Sequence, residues 1–320
     1  MKQKAFPILM LASILVSLSL AACGPAATPA PVTIKVAVLP VLDVLPMLVA
    51  NAEGLYAKHN LVVEFVPVGS APERDQLIVA GQVDAVMNEI LSVMFLNQEK
   101  VQVQAVRFAR AATSEQAIFK IMSAKNSGIT DVNGLKGVPI GVGQGTVIEY
   151  LTYRLLEAEG LSKDDIKVLA VPKIPDRMSL LASGELKAAT LPEPFATLAL
   201  QSGGTLVLDD STHPEYSHSI ITFRKDVIDK NPEAVKEFLA AVEEAVALIN
   251  KDPQKYASLM VEQKMVPAPL AETFKVPTYP TAGVPSQAQF DDAMNWALEM
   301  GYAKVKVSYA DCVNANLLPK

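Results

Sequence analysis

Residues 137–160, GVPIGVGQGTVIEYLTYRLLEAEG, hold the reading on which the fold turns. Residues 137–142 are a short apolar run of strand length, Gly143-Gln144-Gly145 is a glycine turn, and residues 146–159 carry apolar side chains at helical spacing. Thr146 and Glu149 stand in the Thr-x-x-Glu order of a capping box, which predicts a helix starting there. A strand that passes through a glycine turn directly into a helix is one unit of a parallel sheet. The unit continues downstream, where 166–171 and 186–191 read as strands around a helix at 176–182. It also occurs upstream, where 33–39, 62–66, 83–87 and 101–106 read as strands separated by helical stretches. There Pro46 is preset for a first helical turn, and Ser70-Ala71-Pro72-Glu73 is a second capping box.

Two such series imply two α/β lobes. An extended stretch at 115–122 lies between them and another, 219–223, follows the second, so the chain leaves the first lobe, builds the second and returns. Asn231-Pro232 is expected to cap a helix whose Val235, Phe238, Leu239, Val242, Val246 and Ile249 form one buried face. Ser286 opens another helix that stops at Gly301, and both belong with the first lobe on this reading. The expected organisation is a leader at 1–22, a tether at 23–31, a first lobe from 32–118 and 219–320, and a second lobe from 119–218. The two crossovers would floor a cleft and act as its hinge.

The leader rests on Lys2 and Lys4 followed by the uncharged apolar run 6–20. It ends in Leu20-Ala21-Ala22-Cys23, which resembles the lipobox of bacterial lipoproteins, in which the cysteine thiol takes a lipid. The expected location is therefore outside the cytoplasm, anchored to a bacterial membrane through Cys23. If Cys23 is lipidated, Cys312 has no partner, and the fold stands without an intramolecular disulfide. The 320 residues are 50% hydrophobic with a net charge of −6 and no basic cluster, which sets nucleic acid and anionic lipid surfaces aside as partners.

Several motifs in matching order resemble the substrate-binding proteins of nitrate, sulfonate and thiamine-precursor uptake systems. They are Ala52-Glu53-Gly54-Leu55-Tyr56 followed by Leu61-Val62-Val63-Glu64, then Ala80-Gly81-Gln82-Val83-Asp84, then Leu135-Lys136-Gly137 leading to Gly143-Gln144-Gly145-Thr146, and finally Glu193-Pro194-Phe195. The resemblance implies a two-lobe type II periplasmic-binding-protein fold, each lobe a mixed sheet flanked by helices. It also implies a monomeric solute receptor that serves an ABC permease and its ATPase, with no cofactor and no catalysis of its own.

In open α/β sheets ligands sit beyond the carboxyl ends of strands, where helix N-termini point. That rule selects five loops, and from them the candidate ligand-binding residues Leu42, Asp43, Gly69, Ser70, Asn88, Glu89, Gly143, Gln144, Gly145, Thr146 and Glu193. The two glycines of 143–146 let backbone N–H groups approach a ligand, although the same loop also reads as a plain capped turn that occupies Glu149. Glu193 could aim a carboxylate at a ligand N–H, as the resemblance implies, or serve as a first-turn acid. Arg107 and Arg110 follow a strand and could face an acidic ligand or sit in salt bridges. Acids outnumber bases on these loops, so the balance leans toward a cargo with N–H donors, such as an aminopyrimidine.

Other classes of function were weighed. An enzyme would need reactive groups, and the chain has three histidines, no Gly-x-Ser-x-Gly elbow and no P-loop. Gly141-Val142-Gly143 begins a dinucleotide fingerprint, but Thr146 stands where its last glycine belongs. An enzyme branch with this fold needs a cleft histidine, and none falls on the five loops. His213 and His218 flank Glu215 within six positions, yet Pro214 and the spacing argue for a surface turn over a metal site. A surface lipoprotein without cargo is the third reading, and a hinge between two lobes argues against it.

Overall fold

The computed structural model describes residues 30–319, so the expectations for the leader and for lipidated Cys23 lie outside the described residues. Ten strands form two sheets: β1 (Val32–Val38), β2 (Leu61–Pro67), β3 (Ala85–Asn88), β4 (Val103–Ala111), β5 (Phe119–Ser123), β6 (Pro139–Val142), β7 (Lys167–Ala170), β8 (Ala188–Pro192), β9 (Thr205–Asp209) and β10 (His218–Arg224). The first sheet has the order β2-β1-β3-β10-β4 and the second β7-β6-β8-β5-β9. In each, three parallel strands are followed by an antiparallel one that the chain delivers from the other sheet: β5 pairs antiparallel with β8, and β10 with β3. The two lobes are thus built to one plan and exchange one strand each.

The central strands are near-continuous apolar runs because helices cover both of their faces; all four residues of β3 are buried. β9 escaped the sequence reading because it is an edge strand, paired only through β5, with most of its residues partly exposed. The expected extended stretch at 115–122 needs correction as well. Thr113 and Gln116 pair across a turn, and extended structure resumes only at β5.

The crossing chains are tied together at both ends. Ala112 N donates to Ser217 O at 3.0 Å, while the Asp210 carboxylate accepts from Ile118 N and Phe119 N at 2.9 and 3.0 Å. These bonds join the segments that carry any relative motion of the lobes.

The tail departs from expectation at its first cap. Asn231 holds the N-cap position of helix Pro232–Lys251 but makes no side-chain capping bond, and Pro232 in the first turn takes over by removing one donor that would need a partner. That helix buries Val235, Phe238, Leu239, Val242, Val246 and Ile249 in the first lobe's core, as read from the sequence. Helix Gln287–Glu299, opened by a complete Ser286–Gln289 capping box, touches both lobes. It packs with helix Ile90–Leu96 of the first. Toward the second, Asp292 accepts from Tyr150 Oη at 2.6 Å and Arg154 Nε at 3.0 Å, and Trp296 meets the Tyr150 ring edge-on at 5.5 Å. Cys312 is a free thiol buried beside Asn97.

Candidate ligand-binding site

Between the lobes lies a cavity of about 90 Å³, walled by Leu39, Asp43, Ser70 and Asn88 from the first lobe and by Gly143, Thr146, Ile174 and Arg177 from the second. Its walls come from the segments that follow β1, β2, β3, β6 and β7, the carboxyl ends of parallel strands. That volume holds several waters or a small solute.

Eight of the eleven candidate residues border the cavity: Asp43, Gly69, Ser70, Asn88, Glu89, Gly143, Gln144 and Thr146. Three do not. Leu42 is fully buried among the first lobe's apolar side chains, because the loop after β1 winds into a helical turn that points it inward. Gly145 turns away at φ +70°, and a Cβ there would meet the Tyr302 ring at 3.6 Å. Glu193 is buried and occupied: its carboxylate pairs with Lys120 Nζ at 2.7 Å and accepts from Thr197 N and Oγ1 at 3.1 and 2.7 Å.

The acids on which the lean toward a ligand rich in N–H donors rests all have partners within the protein. Glu89 is held by Arg74 Nη1 at 3.1 Å and by the Ser92 hydroxyl at 3.1 Å. Asp43 accepts from the Ser219 hydroxyl, with Arg110 Nη1 at 3.8 Å. Glu149, as expected, serves the turn, accepting from Gly145 N at 2.7 Å; Tyr302 Oη also donates to it at 2.8 Å. Arg107 is bound to Glu243 at 2.6 Å and takes no part in the cavity wall.

The charge left over is positive. Arg177 is wholly buried at the cavity wall, and its Nε, Nη1 and Nη2 have no partner among the described residues. Burial pushes the guanidinium down to about 10, still charged at neutral pH. Arg177 lies on helix Ile174–Ser183 in line with Ile174 and Leu181, at spacings of three and four, on the face that also buries Met178. The signal was present in the sequence as an arginine in register with an apolar stripe, but Arg177 lies past the helix start rather than on a loop and was not singled out.

Beside it, Thr146 Oγ1 donates to Gly143 O at 2.7 Å and accepts from Ile148 N at 3.2 Å, which fixes the turn at the start of helix Val147–Ala158. A Cβ on Gly143 would stand 3.0 Å from Thr146 Oγ1 and 3.2 Å from Arg177 Nη1. A side chain there would oblige these neighbours to give by a few tenths of an ångström. Gly143→Ala is expected to displace the guanidinium and weaken binding of any ligand held by Arg177 about tenfold, equivalent to about 1.4 kcal/mol, as read by calorimetric titration. An unchanged affinity would separate Gly143 from the site.

The two histidines do not meet in a shared site: His213 pairs with Glu159 at 3.3 Å, whereas His218 is buried edge-on to Phe108 at 5.4 Å. Among the described residues no group of three or more His, Cys, Asp or Glu side chains is placed to hold a metal ion.

Comparisons with known proteins agree with this architecture. A protein of Escherichia coli (strain K12) named for binding aliphatic sulfonates is 27% identical over 169 residues, which cover 53% of each chain. The matched part thus spans about half of that relative's length. Among solved structures, the alkanesulfonate-binding protein SsuA from Xanthomonas axonopodis pv. citri bound to MOPS superposes with a TM-score of 0.74 at 17% identity, over 90% of this chain and 99% of that one. The periplasmic nitrate-binding protein NrtA from Synechocystis PCC 6803 does so with a TM-score of 0.68 at 17% identity, over 91% and 88%. These likenesses establish the fold as the two-lobe type II periplasmic-binding-protein fold. The profile of the NMT1-like family matches residues 27–262, and the chain belongs to that family.

Proposed function

We propose that this chain is the solute-binding component of an ABC importer and that its cargo carries an anionic, sulfonate-type head group. The observation that carries the reading is Arg177, a fully buried guanidinium at the cavity wall with no partner among the described residues. A buried charge is costly unless paired, and an anion entering the cavity supplies the missing partner. The relatives named for sulfonate and nitrate binding support the same class of cargo. An aminopyrimidine, the other cargo suggested by the sequence, would bring N–H donors to a wall whose acids Asp43 and Glu89 already accept from Ser219 and Arg74.

On this reading lobe one comprises 32–118 with 219–320 and lobe two comprises 119–218. Cys23 carries the lipid that holds the protein outside the cytoplasm, and capture needs no covalent chemistry. A ligand that touches both lobes favours the closed arrangement, which a permease and its ATPase then recognise. Isothermal titration of the protein beginning at Pro31 with a short alkanesulfonate, nitrate and an aminopyrimidine tests the cargo. Saturable heat with the sulfonate and none with the aminopyrimidine is the expected result; the reverse pattern would overturn it.

A further inference from the structure

Arg177 is one of two buried side chains at the cavity wall whose donor nitrogens have no partner among the described residues. The other belongs to the opposite lobe. Asn88 closes β3, is fully buried, and borders the same cavity. Its Oδ1 accepts from the Thr222 hydroxyl on β10 at 2.6 Å, and Nδ2 has no partner among the described residues. The same cavity is also lined by apolar side chains: Leu39, Val41 and Met87 from the first lobe, Phe119, Ile148 and Ile174 from the second.

We infer that the cargo has two polar ends of one kind: an anionic head taken by Arg177 and a distal, uncharged hydrogen-bond acceptor taken by Asn88 Nδ2, joined by a mostly apolar stretch. This rests on the anion reading and narrows it to a substrate class, a sulfonate bearing a carbonyl or ether oxygen at its far end. Each buried donor left unmade costs free energy, so a ligand that satisfies both gains from both lobes at once. The same arrangement selects against a distal ammonium. An ammonium would face another donor at Asn88, and the nearest carboxylates, Glu89 and Asp43, are bound to Arg74 and to Ser219. Because Asn88 sits on one lobe and Arg177 on the other, such a two-ended ligand bridges the cleft by polar contacts, and a contact made to both lobes favours closure.

Three matched series of alkanesulfonates test this by calorimetric titration: unsubstituted, bearing a ketone near the far end, and bearing a terminal ammonium, each over a range of chain lengths. The best ketone is expected to bind at least about tenfold more tightly than the alkane of equal length, and the ammonium series more weakly than both. Asn88→Leu should bring the ketone-to-alkane ratio to about one, and Thr222→Val, which removes the hydroxyl from which Asn88 Oδ1 accepts, should lower it. The ratio in the unmodified protein decides the matter even where a variant does not fold. Equal binding of ketone and alkane would overturn the second acceptor site and leave the anion reading standing. Preference for the ammonium series would overturn it by showing that Asn88 presents its oxygen to the cavity. Failure of all three series to bind would overturn both.

Discussion

Arg177→Met is expected to make the empty protein more stable and the receptor nearly useless. Burial lowers the guanidinium from 12.5 to about 10, a destabilisation of its charged form by about 3 kcal/mol at one pKa unit per about 1.4 kcal/mol. The sign follows from the base being harder to charge in the fold than in the unfolded chain. The stabilisation is present only above the unfolded value, is lost as pH falls through about 10, and is therefore wholly missing at neutral pH. Methionine fills similar space beside Met178 and Leu181 without that cost, so the urea midpoint of the ligand-free protein should rise. Anion affinity should fall about 100-fold or more, as expected when one partner of a buried, hydrogen-bonded charge pair is truncated. A variant that is less stable when empty would mean that Arg177 supports the fold, and the binding role assigned to it would fail.

The second large effect concerns two groups that titrate in opposite senses near the crossing chains. Burial pushes His218 down to about 4 from 6.5, so its contribution to stability is present above 6.5 and is lost as pH falls through 4. Burial pushes Asp210 up to about 6 from 3.8, against the opposing pull of the backbone N–H groups of Phe119 and Ile118. Its contribution is present below 3.8 and is lost as pH rises through 6. Near pH 5, folding takes a proton from one group and gives one to the other, and the unfolding free energy from this pair stays nearly level.

Each single substitution should expose the other limb. In Asp210→Asn, stability should fall by up to about 3 kcal/mol between pH 6.5 and 4; in His218→Phe it should rise by a similar amount as pH falls from 6 to 4. Denaturant melts across that range measure both. Two variants that keep the parental pH profile would refute the compensation.

Much of this architecture was legible because its signals are local. Strand and helix alternate with apolar runs short enough to be strands, and the caps at Ser70, Thr146 and Ser286 mark helix starts with hydroxyl oxygens that do accept from the first turn. The cavity followed from a topological rule, and eight of its bordering residues could be named from loop positions alone. The sign of the site could not. Whether Glu89 or Asp43 is free depends on Arg74 and Ser219, the latter 176 positions away along the chain, and no local pattern encodes that pairing. Arg177 stayed hidden for the complementary reason, since a stripe of apolar residues around one arginine reads as core until the cavity beside it is seen.

The tail helix fastens the second lobe through Asp292 and Trp296, and the crossing chains are bonded to each other through Ala112, Ser217 and Asp210. Any movement of the second lobe against the first has to work against both sets of contacts. Little order remains to be imposed when a solute arrives, because folding has already imposed it. The consequence is kinetic: affinity in such a receptor is set less by how fast cargo enters than by how long it stays, and residence time becomes the quantity that the contacts at Asp292 and Trp296 tune.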